Sequence, residues 1–442
     1  MRYRAVRPLP LLLGIVICCL GLGCSNSERI DNEVVAFWDI EEDATPLSTE
    51  LNYLPIDDSE YPYAGIPRIV IETENHREIK DRETEIPAKL QVWGADAPES
   101  EVMELTIRGR GNTSWTDMPK NSYKIEFVNK QNILGMPKDR DWALIANYAD
   151  KTLMKNYLMY HLSAELGAYY APRCEFIELY LNKEYLGVYL LTETIKISKH
   201  RINIPETDNS YIVEVDKKYK YSETIFYSYV INDSTGLSFR VHKPQKVSTK
   251  ALNTIEKHIT DFETYLTNIH EQRDNNIAQW LDVEEYIKYY WVEEFAKNPD
   301  ANFFTSVFFS WEKNNPIKMG PVWDFDLAFG EFDYASFNTP SDWHIKTSHW
   351  NKFVFQDTLM VNKRESFWIE NKSTFFKTIN TIDSIYKKIE KAAANNFRKW
   401  PILSSTENHW HFYAYSSYEE AIIHLKDWIN QRYIWINTHL VN

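Results

Sequence analysis

Four cysteines in 442 residues leave little room for covalent cross-links, and their placement leaves less. Cys18 and Cys19 fall in an apolar leader, Cys24 closes it, and Cys174 stands alone, which excludes an intramolecular disulfide framework. Basic residues are also in deficit, 49 Lys and Arg against 63 Asp and Glu, for a formal net charge of −14. A surface with that balance argues against sequence-independent nucleic-acid binding, which depends on neutralising phosphates. Beyond the leader no apolar run approaches the length needed to span a bilayer. Internal repeats and low-complexity tracts are absent too.

What is present is the composition of a globular protein, 44% hydrophobic, 25% charged and rich in aromatics at 15%. The length suits one large domain or two ordinary ones. Residues 1–23 stand apart: Arg2, Arg4 and Arg7 precede the apolar stretch Leu9 to Leu22, and Gly21-Leu22-Gly23 leads into Cys24. That is the layout of a secretory signal peptide. Small residues before a cysteine suggest a bacterial lipoprotein cleavage site, with Cys24 as the lipidated residue, although Gly21 occupies a position usually held by Leu. The expectation is an exported lipoprotein of the bacterial cell envelope, periplasmic or surface-exposed and held to the membrane through Cys24; an ordinary secreted protein is the alternative. Loss of the three leader arginines would bring the charge to −17, 46 basic residues against 63 acidic. Residues 24–65, with Glu41-Glu42-Asp43 and Asp57-Asp58-Ser59-Glu60, have the character of an acidic tether. Ordered structure is expected from Ile66, β-rich to about residue 245 and helical from there to 442.

Two acidic clusters joined by an apolar hairpin organise the chain. Asn298-Pro299-Asp300-Ala301-Asn302 precedes the apolar run Phe303 to Trp311. Glu312 to Pro316 carries turn chemistry, and Ile317 to Val322 leads into Trp323-Asp324-Phe325-Asp326. A hairpin brings its ends together, so Asp300 and Asn302 are expected beside Asp324 and Asp326. Carboxylates that close repel one another unless a cation, a proton or a basic side chain compensates them. Magnesium is the simplest compensator, because hard cations prefer carboxylate and amide oxygens. Turn and capping roles at strand ends are the alternative for these residues.

In the earlier half, Met103 to Ile107 alternates toward Arg108-Gly109-Arg110-Gly111-Asn112-Thr113-Ser114, and Ser122 to Val128 alternates again with Lys120 ahead of it and Lys124 within it. Backbone amides of a glycine-rich turn can approach phosphate oxygens closely, and the lysines can neutralise their charge. A simple hairpin explains the same residues. A helix is expected from Lys151 to Leu166 behind the cap Asn147 to Asp150, and a hairpin around Asn182-Lys183 ends at Thr192-Glu193. Helical spacing returns at Leu252 to Leu266, Ile287 to Phe295, Phe367 to Ala394 and Tyr418 to Ile436. Tryptophans spread through the last hundred residues are expected in the core, with a glycan-binding platform as the alternative.

Glycine-rich turn, strand lysine, helix, hairpin ending in an acid, then Asp with nearby Asn, hairpin, and Asp-Phe-Asp is the order of working parts in a protein kinase. At Arg108 to Ser114, Lys120 to Phe127, Asn147 to Lys151, Gly187 to Glu193 and Trp323 to Gly330, the sequence resembles the CotH kinase family. The resemblance implies an α+β, divergent protein-kinase-like bilobal fold. It also implies binding of ATP with Mg2+ and phosphorylation of serine or threonine in protein substrates. Carried over by position, it puts Arg108, Gly109, Gly111 and Lys120 or Lys124 on the nucleotide phosphates, Glu193 where adenine is held, Asp300 as catalytic base, and Asp324 with Asp326 on the metal. The Asn that kinases carry several residues after the catalytic Asp is Thr305 here, leaving Asn298 or Asn302 as the amide ligand. Without such an amide, a catalytically silent relative that binds protein or glycan is the second expectation. A carboxylate-pair glycosidase built on Asp300 and Asp324 would leave the glycine turn and lysines unexplained.

Overall fold

The computed structural model describes residues 53–218, 223–231, 235–269, 276–331, 337–406 and 411–440. The leader and Cys24 lie outside the described residues. Period-two alternation in the first half produces β1 (Arg68–Thr73), β2 (Ile86–Trp93), β3 (Met103–Arg110), β4 (Ser122–Gln131), β5 (Asp139–Ile145), β6 (Cys174–Leu181) and β7 (Glu184–Glu193). These strands close into a barrel in the order β1-β2-β3-β4-β5-β7-β6, sealed where β1 runs parallel to β6. Along β3 the residues Leu105, Ile107 and Gly109 are buried while Thr106, Arg108 and Arg110 are not. Arg108 is in register with Lys124 of β4, which places both cations on one outer face. The β6–β7 turn takes its shape from Asn182 and Lys183, both in the left-handed region at φ 51° and 70°, the backbone a tight two-residue hairpin needs.

After β3, Gly111 (φ 104°) turns the chain into a single turn of helix, α1 (Thr113–Thr116). The next helix starts later than its sequence pattern suggests. The Asp150 carboxylate accepts the backbone N–H of Thr152 and of Lys155, and Leu153 adopts φ 62°. A closed loop therefore precedes α2 (Lys155–Glu165).

A second sheet, ordered β12-β11-β8-β10-β9, mixes the two halves of the chain. β8 (Ser210–Val215) is paired on one side with β10 (Leu237–Lys243), itself flanked by β9 (Ile225–Ser228). On its other side lies β11 (Val307–Glu312), which returns through a turn to β12 (Lys318–Met319). The β-rich first part and the helical C-terminal part are as expected, but the second sheet is shared between them, since β11 and β12 come from after residue 245. The apolar hairpin after Asp300 crosses back to complete a sheet begun a hundred residues earlier, because β8, buried at every position, needs partners on both edges.

Helices α3 (Thr249–Thr267), α4 (Val283–Ala296), α5 (His349–Val354), α6 (Thr358–Lys399) and α7 (Tyr418–His439) complete the fold. Ser248, Asp282, Asp357 and Ser417 cap four of them, each side chain accepting an N–H of the first turn. α6 has 42 residues, about 63 Å at the usual helical rise. Its last turns reach the barrel, where the Asn396 side-chain oxygen accepts the Val188 N–H at 3.1 Å and the Trp400 indole donates to the Leu186 carbonyl at 2.9 Å. Trp350 and Trp368 are fully buried and Trp428 nearly so, as expected of core aromatics; Trp410 lies outside the described residues. No helix among the described residues is long and apolar enough to cross a membrane.

The tether ends earlier than its composition suggests. Leu54 is buried and its N–H binds the Gln91 side chain, Asp58 pairs with the buried Arg68, and Tyr61 stacks on Tyr185 at 4.2 Å. Scattered apolar residues in this acidic stretch thus strap it across the barrel.

Candidate active site

A cavity of about 700 Å³ opens between the outer face of β3 and β4, the open end of β8 and β10, and the loops holding Asp300 and Asp324. Asp300, Asp324 and Asp326 all line it. Burial, then the charge of Asp324, raises the Asp300 carboxyl to about 7. Burial with the charges of Asp324 and Asp300 pushes Asp326 well above the usual carboxylate range, and burial raises Asp324 although Arg110 opposes the shift. The hairpin has gathered more negative charge than its protein surroundings neutralise.

The Asp324 segment is fixed from behind by two helices. From α2, Lys155 Nζ donates to the carbonyls of Asp326 (3.2 Å) and Ala328 (3.0 Å), the Asn156 side-chain oxygen accepts the Phe325 N–H at 2.8 Å, and Tyr160 stacks on Trp323 at 5.6 Å. From the end of α4, Asn298 Nδ2 bridges the Glu293 carboxyl (2.9 Å) and the Asp324 carbonyl (3.2 Å). Asp324 itself is held at φ 65°. That conformation is uncommon for a residue with a side chain and persists only where the surroundings over-determine it.

The opposite wall is basic. Lys124 sits 2.8 Å from Asp141, and Lys196 lies 2.6 Å from the same residue. Arg82 and Arg108 cross the turn, Arg82 donating to Asn112 at 2.7 Å and Arg108 to the Arg82 carbonyl at 2.6 Å. Lys218 reaches Thr113 Oγ1 at 3.0 Å, spanning the mouth. On the floor Arg240 pairs with Glu214 and Glu223, and His242 Nε2 lies 2.6 Å from Glu214. A family model described as CotH kinase protein matches residues 107–436. The chain belongs to the CotH kinase family. No curated protein matches it.

Within this CotH-family chain, several residues occupy other positions than their motifs suggest. Lys120 contributes to the cavity wall, but its ammonium is buried and donates to the carbonyls of Ala146 and Val188 and to Asn396. It joins the barrel to α6 and has no donor left for a phosphate. Glu193 is 1% exposed, pairs with Arg173 at 3.1 Å and with Arg201 at 3.7 Å, and is not among the cavity-lining residues. Gly109 is a strand residue whose missing side chain makes room for Trp115, since a Cβ there would fall 2.4 Å from that ring. The turn glycine is Gly111. Asn298 is buried with both amide ends engaged, and neither it nor Asn302 lines the cavity. The amide that does so beside the Asp324 loop is Asn156, which the sequence left as one more position in a helix. Thr305 donates to Asp216 at 3.0 Å. Arg110, Asn156 and Lys218 were missed. Arg110 alone carried a signal, as the next outward-facing position of β3 after Arg108.

Proposed function

We propose that this CotH-family chain is an exported, lipid-anchored protein kinase that transfers the terminal phosphoryl group of ATP, with magnesium, to serine or threonine hydroxyls of envelope proteins. Its site would combine parts in a kinase-like order on a barrel-based frame. The observation that carries this reading is the convergence of Asp300, Asp324 and Asp326 opposite a basic wall, across a cavity of nucleotide size.

Three carboxyls raised by burial and by the charge of neighbouring carboxylates would be relieved by a bound cation. Among the described residues no group of three or more His, Cys, Asp or Glu is arranged to hold an ion alone. Asp324 and Asp326 fit the magnesium habit of one or two carboxylates completed by water and phosphate, while Asn156, whose oxygen accepts the Phe325 N–H and whose nitrogen donates to Asn147, supports the loop that carries them. When bound, the ion neutralises charge on the phosphate oxygens. Asp300, titrating near neutrality, then accepts the proton of the attacking hydroxyl at a pH where it can both take and release it. Arg82, Arg108, Lys124 and Lys196 present a positive face for the polyphosphate, and the rigid support of the Asp324 loop preorganises the acidic side.

Thr305, bonded to Asp216 where kinases carry an amide, favours the second reading of a silent binding module. Thermal melting with ATP and magnesium separates the two. A ligand at a hundred times its dissociation constant stabilises by about 2.7 kcal/mol, so the kinase reading expects a clear upward shift that Asp324→Ala abolishes. It also expects labelled phosphate to pass from ATP to co-resident envelope proteins with wild type but not with Asp300→Ala. An unshifted wild type that transfers nothing would leave the binding module.

A further inference from the structure

The cations of the cavity wall differ in what already holds them. Lys120, Lys124, Lys196 and Arg240 are each bonded to side chains, and Arg82 and Arg108 are tied to the turn. Arg110 is different. It ends β3 facing outward into the cavity, opposite Ser122 in register. Its guanidinium lies 4.9 Å from the centre of the Trp323 ring, which in turn rests on Tyr160. Trp323 is the residue immediately before Asp324, and Asp324 is the acidic group that acts most strongly on Arg110. Yet no hydrogen bond or ion pair of the Arg110 side chain occurs among the described residues. A planar, charged fork resting on an aromatic ring at the cavity wall, without a hydrogen bond or ion pair among the described residues, is the arrangement suited to a phosphate. Lys243 also lines the cavity without a side-chain bond among the described residues, but it lacks both the ring beneath it and the acid beside it.

We propose that Arg110 is the residue that binds the terminal phosphate of the nucleotide and neutralises the charge on it during transfer. The inference rests on the kinase reading above and goes further by assigning the cation that acts on the group in flight. In the step, the acceptor hydroxyl oxygen forms a bond to the terminal phosphorus, the bond from that phosphorus to the bridging oxygen breaks, the hydroxyl proton passes to Asp300, and ADP leaves with the bond's electron pair. Charge on the equatorial oxygens is what Arg110 meets. The Trp323 ring, 4.9 Å from the guanidinium and one residue before Asp324, keeps Arg110 at the acidic side of the cavity.

Melting curves of the full chain with magnesium and saturating ATP, ADP or AMP test this without relying on turnover. Wild type is expected to be stabilised more by ATP than by ADP. Arg110→Gln, which keeps much of the stem over Trp323, is expected to bind ADP as wild type does and to lose the ATP preference, with transfer down at least ~100-fold. Arg110→Lys should keep part of both, and Lys243→Ala should change neither. The ligand-free melting point reports whether each variant folds; if Arg110→Gln does not, Arg110→Lys carries the test, and an undiminished ATP preference there overturns the proposal. An ATP preference that survives Arg110→Gln, or disappears in Lys243→Ala instead, likewise overturns it while leaving the kinase reading standing. A wild type indifferent to all three nucleotides overturns both.

Discussion

At the scale of single residues, Asp300 is where function and stability conflict. Its folded-state carboxyl is raised from an ordinary 3.8 to about 7, first by burial and then by Asp324. The folded protein therefore holds a proton that the unfolded chain releases, so stability falls as pH climbs from about 4 to 7. Above 7 the full penalty applies. Asp300→Asn should melt higher than wild type at pH 8, by on the order of 2 kcal/mol once solvent screening at this half-buried site is allowed for, and nearly equal to it at pH 4. The same variant should lose about 10²- to 10⁴-fold in transfer. In wild type, kcat/KM should fall on the acid side of about 7, a macroscopic value shared with the neighbouring aspartates. A variant no more stable than wild type at pH 8 would show that Asp300 is not strained by its surroundings. Lys120 makes the opposite case. Lys120→Met leaves two buried carbonyls and the Asn396 oxygen short of a donor, a loss of roughly 1–3 kcal/mol. Nucleotide-dependent stabilisation should survive it, and a normal melting point with lost ATP response would return Lys120 to the phosphates.

Elements decide which of these roles a sequence reveals. The carboxylate cluster was legible because a hairpin is local: turn chemistry at Glu312 to Pro316 is enough to bring Asp300 back to Asp324. Lys124 was legible for a similar reason, since β3 and β4 are adjacent and their alternation gives the outward face. Glu193 and Lys120 were not, because their partners come from Arg201 on one side and Asn396 at the far end of α6 on the other, and no local pattern announces such meetings. Asn156 was hidden by its helix, where an asparagine looks like any polar position until Phe325 arrives against it. Gly187 shows how an element imposes a residue. It sits at φ 95° in β7, and a Cβ there would fall 2.4 Å from the Asn396 side-chain oxygen. Gly187→Ala should therefore push the end of α6 off the barrel, costing roughly 2–4 kcal/mol through strain at a positive φ and a broken buried hydrogen bond. Urea unfolding measures the loss. A change below 1 kcal/mol would mean that the docking of α6 is loose.

Across the whole molecule, the order of elements along the chain and their arrangement in space disagree, and the site depends on the disagreement. The early strands form a barrel whose outer face supplies the basic wall. The second sheet takes β8 and β10 from before residue 245 and β11 and β12 from after it. The acidic side of the cavity comes from the loops that flank the late hairpin. A chain separated at 245 should consequently give no independently folded half. The fragment 53–245 would leave the fully buried β8 without the six-residue pairing to β11, an unpaired apolar edge of the kind that aggregates. It would also strip Asn396 from Lys120 and Asn395 from Glu178. The fragment 246–440 would keep α6 and α7 but lose the sheet against which α3 packs. Expressed alone, each should be insoluble or unfold without a cooperative transition; expressed together, the two should recover the melting curve and nucleotide response of the intact chain. A cooperative transition in the isolated first fragment would mean that the barrel and its appended strands form a domain of their own, and that the cavity is an interface between domains and not a product of one fold.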